Sequence, residues 1–78
     1  MSSVMTNIFL KNLYDLSGTL KQLRLLEKLT QKQVAEAIGI KYQSYQAYEL
    51  GIALPSLENF IKLCEFFDIT PNEMLNIN

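Results

Sequence analysis

Seventy-eight residues make one domain, and their 49% hydrophobic content favours a compact core over disorder. One cysteine, Cys64, excludes an internal disulfide, and the absence of histidine excludes His-containing zinc sites and His-based catalysis. The net charge of −1 hides a polarity: residues 1–48 sum to +3 and residues 49–78 to −4, so a basic half can meet an anion while an acidic half stays in solvent.

Along the chain the pattern is a string of short helices without a convincing strand. In residues 1–18, Phe9, Leu13 and Leu16 continue to Leu20 at i, i+4, i+7 and i+11, one face of a helix, with Gly18 expected to break or bend it. Thr19-Leu-Lys-Gln22 and Thr30-Gln-Lys-Gln33 read as capping boxes, as does Thr70-Pro-Asn-Glu73, where Pro71 suits a first helical position. Ser56 caps a further helix with Glu58 in its first turn, and Pro55 keeps the preceding segment from running on. Gly39 and Gly51 are natural left-handed stops. These signals predict helices near 19–28, 31–38, 42–50, 56–66 and 71–76. Their expected apolar faces are Leu20/Leu23/Leu26, Val34/Ala35/Ile38, Tyr45/Tyr48, Leu57/Phe60/Ile61/Cys64/Phe67 and Met74/Leu75. Cys64 therefore reads as core, with a redox sensor the lesser alternative.

Between Thr30 and Gly51, small Ala35 sits where a second helix must approach closely, Gly39 turns sharply and Ile40 plugs the angle, which is how a helix-turn-helix is built. Leu23-Arg24, Leu29-Thr30-Gln31, Val34-Ala35, Gly39-Ile40, Tyr48-Glu49 with Gly51, Pro55-Ser56-Leu57 and Ile69-Thr70 before Met74-Leu75 occur in order. In this set the chain resembles the lambda-repressor/Cro-type (xenobiotic-response-element-like) helix-turn-helix family of bacterial and phage regulators, over about Leu20 to Leu75. The resemblance implies an all-α, compact five-helix DNA-binding domain, at 19–78, preceded by an extra helical or arm segment at 1–18. It also implies an ion pair of Arg24 with Glu49, and a homodimer on a palindromic operator in double-stranded DNA.

If Tyr45 and Tyr48 pack inward, then Tyr42, Gln43, Gln46 and Ala47 face a DNA groove. Gln can pair with adenine, Ala can touch a thymine methyl, and Tyr can meet phosphate or sugar. The alternative is a solvated polar helix face, which Gln and Ala suit equally well. The family's base-contacting positions map onto Tyr42, Gln43 and Ala47, with Ser44 nearer the backbone. Gln31 and Lys32 open a helix whose free amides attract phosphate, or simply complete a capping box. Lys41 can reach a phosphate but stands where relatives carry a Ser or Thr cap, and Ile52-Ala53-Leu54 stands where they often carry Lys or Arg.

The expected protein is a cytoplasmic transcriptional regulator, most simply a repressor of a phage, mobile-element or chromosomal operon. No cofactor, metal, membrane partner or small-molecule ligand is expected. No apolar run nears the ~20 residues of a membrane span. The first residues lack the basic start and apolar core expected of a signal peptide. With no Gly-rich phosphate loop and no nucleophile–base pair, enzyme activity is not expected. The alternatives are a protein-interaction module of the same fold that has lost DNA binding, and a restriction–modification controller or antitoxin-type regulator. Leu25, Phe66, the Phe9/Leu13/Leu16 stripe, Met74, Leu75 and Ile77 exceed what a small core needs. They mark a subunit interface, unless residues 1–18 fold back over Leu25.

Overall fold

A computed structural model describes residues 16–75, and among these the chain is helical throughout, with five helices and no strand. Helix α1 covers 16–26 of the described residues, α2 is Gln31–Ile38, α3 Tyr42–Leu50, α4 Leu57–Phe67 and α5 Pro71–Met74. Thr30 caps α2 by a reciprocal box: its hydroxyl accepts from Gln33 N at 3.1 Å and its own N–H donates to Gln33 Oε1 at 2.8 Å. Thr70 and Glu73 repeat the arrangement at α5, which holds the Glu73 carboxyl below the usual carboxylate range. The Ser56 hydroxyl accepts from Asn59 N at α4.

Four helices end alike. After α1, α2, α3 and α4 one residue takes the left-handed conformation, and the next residue donates its N–H five residues back, to Arg24, Ala35, Ala47 and Cys64 respectively. Glycine fills that position at Gly39 (φ 76°) and Gly51 (φ 74°), where a side chain would be strained. Lys28 and Asp68 fill the other two. An apolar residue follows each stop. Leu29, Ile40 and Ile69 pack against the core, whereas Ile52 is exposed.

The core is Leu16 and Leu20 of α1, Val34, Ala35 and Ile38 of α2, Tyr45 and Tyr48 of α3, Leu63 and Cys64 of α4, and Met74 of α5. Burial raises the pKa of the Cys64 thiol, with Glu65 adding to the effect, which disfavours the thiolate at this core position.

Several expectations from the sequence need correction. The described part of α1 runs through Gly18 and Thr19, so Thr19 lies inside the helix and does not cap it. The helix ends at 26 rather than 28. An exposed helical glycine costs roughly 1 kcal/mol, but burying Leu16 and Leu20 contributes roughly 1.5–3 kcal/mol each. The buried face of α1 is therefore Leu16/Leu20/Leu23, and Leu26 is 77% exposed. On α4 the inward stripe is Phe60/Leu63/Cys64/Phe67; Leu63 is fully buried while Leu57 is 75% exposed. Leu16 and Met74 belong to the core and are not surplus to it. Leu25 and Phe66 are exposed, whereas Phe9, Leu13 and Ile77 lie outside the described residues.

Two leucines of similar character should therefore behave differently. Leu63→Ala is expected to lower stability by about 2–4 kcal/mol, and Leu26→Ala by less than about 0.5 kcal/mol. Denaturant unfolding of both variants checks this, and equal losses would contradict the assigned faces.

Candidate nucleic-acid interface

Helix α3 is positioned from three sides. Tyr45 is fully buried, and its ring meets Tyr48 edge to face, with centroids 6.3 Å apart. The Tyr48 hydroxyl accepts from Asn59 Nδ2 at 3.1 Å, which ties α3 to α4. Small Ala35 on α2 is buried, in keeping with a close approach of α2 and α3.

The third restraint is ionic. Arg24 of α1 grips Glu49 of α3 through two parallel bonds, Nε to Oε2 at 2.7 Å and Nη2 to Oε1 at 2.9 Å. Its Nη1 also donates to the Leu29 carbonyl at 3.0 Å. Gln31 Nε2 adds a 3.0 Å bond to Glu49 Oε1. The Glu49 side chain is only 3% exposed. Burial alone pushes its carboxyl up, but the hydrogen bonds from Arg24 and Gln31, with the charge of Arg24, prevail and hold it below the usual carboxylate range. Hydrogen bonding to Glu49 raises Arg24 in turn, against the opposing effect of burial. The Tyr45 hydroxyl lies beside this pair, buried and without a well-formed hydrogen bond. Burial, then the neighbouring Glu49, pushes its pKa up, so it stays neutral.

With its inner face held, α3 turns Tyr42 and Gln43 to solvent, while Ser44, Gln46 and Ala47 are half-buried. Gln46 Nε2 donates to the Tyr42 hydroxyl at 3.2 Å, so these two side chains brace one another one turn apart. Lys41 precedes the helix without a side-chain cap, leaving first-turn amides of α3 for an external acceptor.

A groove of about 530 Å³ lies between α1, the start of α2 and α3, which contributes Tyr42 from its first turn and Glu49 and Leu50 from its last. The structure brings Gln31, Lys32 and Tyr42 together along it, with Arg24 and Glu49 also contributing to its wall. Ser44, Gln43, Gln46, Ala47 and Lys41 do not line it, although they share or adjoin the same helix. Four groove residues are not among the site residues expected from the sequence: Leu29, Thr30, Leu50 and the one cation of the four, Lys21, which lines the groove from α1. Its spacing of three from Arg24 places both on one side of that helix, a signal that was legible but was counted only as charge. Since Arg24 neutralises Glu49, Lys21 and Lys32 give the groove its positive character.

Comparisons with known proteins agree with this architecture. The helix-turn-helix family HTH_3 matches residues 20–74, most of the chain. The cryptic phage CTXphi transcriptional repressor RstR of Vibrio cholerae serotype O1 is 42% identical over 45 residues, covering 58% of this chain and 40% of that protein. The uncharacterized HTH-type transcriptional regulator YobD of Bacillus subtilis is 38% identical over 58 residues, covering 74% and 52%. The HTH-type transcriptional activator BcrR of Enterococcus faecalis is 33% identical over 62 residues, covering 80% and 30%. The chain thus spans about half the length, or less, of these curated relatives. No solved structure matches it with significance.

The pH response of the ion pair follows from its sign. Folded Glu49 binds its proton more weakly than the unfolded chain does. Its contribution is therefore complete above the ordinary carboxylate value of ~4.3 and vanishes as pH falls through the lower folded value. Glu49→Gln should cost about 3 kcal/mol at pH 7, the lower end for breaking a buried pair. Thermal melts of wild type and variant should converge as pH falls below the ordinary carboxylate range, and a pH-independent gap would contradict the assignment. By the match over residues 20–74 and the paired helices that carry it, the chain belongs to the Cro/CI-type helix-turn-helix family.

Proposed function

We infer that the protein is a sequence-specific double-stranded DNA-binding transcriptional regulator that acts as a homodimeric repressor on a palindromic operator. The observation that carries this reading is the pose of α3. Its inner face is locked by Tyr45, Tyr48 and Glu49, while Tyr42 and Gln43 stand outward beside a groove bearing Lys21 and Lys32. A rigid polar helix beside a cationic groove suits insertion into the major groove with phosphates clasped at its flank.

In this reading Gln43 pairs with an adenine edge, Tyr42 and Gln46 act as a braced pair, and Ala47 sits against a thymine methyl. Gln31, Lys32, Lys41 and Ser44 take backbone phosphates, with Lys21 added to that set. Arg24 and Glu49 hold the geometry without touching DNA. The sign of regulation rests on likeness to the relatives named as repressors, and an activator is among the relatives as well. Among the described residues no helix is long and apolar enough to cross a membrane.

The rival reading, an interaction module without DNA binding, draws on the uncharged Ile52-Ala53-Leu54 segment, whose two large side chains are exposed. Selection from a pool of random duplexes separates the two. The regulator enriches a motif with two-fold symmetry, and no enrichment at low salt would contradict it. On the selected duplex, Gln43→Ala should cost about 1–3 kcal/mol and relax preference at one base position. Lys32→Ala should weaken all sequences alike and shallow the salt slope by about one unit. Uniform weakening by Gln43→Ala would instead make that residue a backbone contact.

A further inference from the structure

Helix α4 is apolar over more of its circumference than the core uses. Phe60, Leu63, Cys64 and Phe67 turn inward, yet Leu57 and Ile61, one turn apart on the adjoining face, are exposed. A helix apolar beyond one stripe is normally covered on its second side. Leu57 also walls an apolar groove of about 350 Å³, together with Leu16, Leu54, Pro55, Phe60 and Leu75. Exposed Ile52, the one stop-following residue that does not join the core, lies on the same connecting segment as Leu54. Beside Leu57 and Ile61 stand Glu58 and Lys62, whose own contact is a solvent-exposed pair at 3.5 Å.

We propose that this face receives a second copy of the chain, α4 against α4 in antiparallel fashion, about a two-fold axis that crosses the exposed face at the level of Asn59 and Phe60. The inference rests on the DNA-binding dimer reading and names its interface. A two-fold contact must be self-complementary, and this face is so in one orientation. The midpoint of Leu57 and Ile61 is Asn59, and that of Glu58 and Lys62 is Phe60. A single axis there sets Leu57 against the partner's Ile61 and Glu58 against the partner's Lys62, each contact made twice. Glu65 then falls over the start of the partner helix, the positive end of its dipole. A parallel pairing would instead set the Glu58/Lys62 flank against the partner's Leu57/Ile61 flank, charge against apolar surface. Asn59, at the level of the axis, donates to the Tyr48 hydroxyl, which ties α4 to the reading helix.

Sedimentation equilibrium on the full chain tests the pairing, with circular dichroism to establish that each variant is folded. Glu58→Lys and Lys62→Glu should each raise the dimer dissociation constant roughly tenfold or more, because each opposes like charges across the axis. Joining the two substitutions should return it to within about threefold of wild type, since the swapped charges pair again. Leu57→Ser should weaken the dimer without rescue by either. A wild-type chain that stays monomeric up to millimolar concentration would overturn the proposal. So would a dimer indifferent to all four variants, which would move the contact elsewhere, residues 1–15 included, and so would failure of the double swap to restore association. Base preference on a half-site duplex is read separately. Its persistence alongside any of those results would leave the DNA reading standing, whereas its absence in a chain that dimerises as described would remove the DNA reading alone.

Discussion

The bidentate pair between Arg24 and Glu49 is the interaction on which the arrangement of the interface depends. It links α1 to α3 across a sequence separation of 25 residues, and it draws in the Leu29 carbonyl and the Gln31 side chain. A buried ion pair is a modest source of net stability, since desolvation offsets much of the attraction. Its directional value is larger. Two parallel bonds to one carboxylate fix both the distance and the roll of α3 relative to α1, which a hydrophobic contact alone does not do. Gln31 is oriented by the same carboxylate, so the opening of α2 and the face of α3 are set by one group.

From that constraint follows the division of labour around α3. Tyr45 and Tyr48 fill the core, so the polar side chains of α3 are left to its outer face, where the proposed reading puts base discrimination. The positive charge of the groove comes from neighbouring helices, Lys21 on α1 and Lys32 on α2, because α3 itself bears only Glu49, which is neutralised. With so few cations a single domain gains limited affinity from counterion release. Apolar residues follow α3 in place of further cations, and they continue into the outer face of α4. In the proposed dimer a second reading head would compensate for sparse phosphate contacts, since two linked heads bind far more tightly than one.

Much of this was legible in the sequence. The boxes at Thr30 and Thr70, the Ser56 cap, the glycine stops at Gly39 and Gly51, and the inward tyrosines all follow from local stereochemistry, which acts within a few residues. What misled was the choice among leucines. Leu20, Leu23 and Leu26 match helical spacing as well as Leu16, Leu20 and Leu23 do, and only tertiary packing decides between them. The same ambiguity hid Leu63 behind Leu57 and Ile61 on α4. Lys28 and Asp68 were illegible as left-handed stops, because neither residue type announces the conformation as glycine does. Thr19 carried a capping pattern that the buried run through Leu16 overrode. Lys21 was missed for want of geometry, since a groove needs three helices in place before its walls can be named.

The central claim is that a face of α3 and the cationic groove beside it meet DNA together. Titrating the isotopically labelled protein with a selected duplex, and following backbone amide shifts, tests this most directly. The account predicts the largest changes at Gln31, Lys32 and from Tyr42 to Ala47, with Lys21 perturbed and the α5 amides unmoved. Changes concentrated on α4 and α5, with α3 and the start of α2 silent, would contradict it.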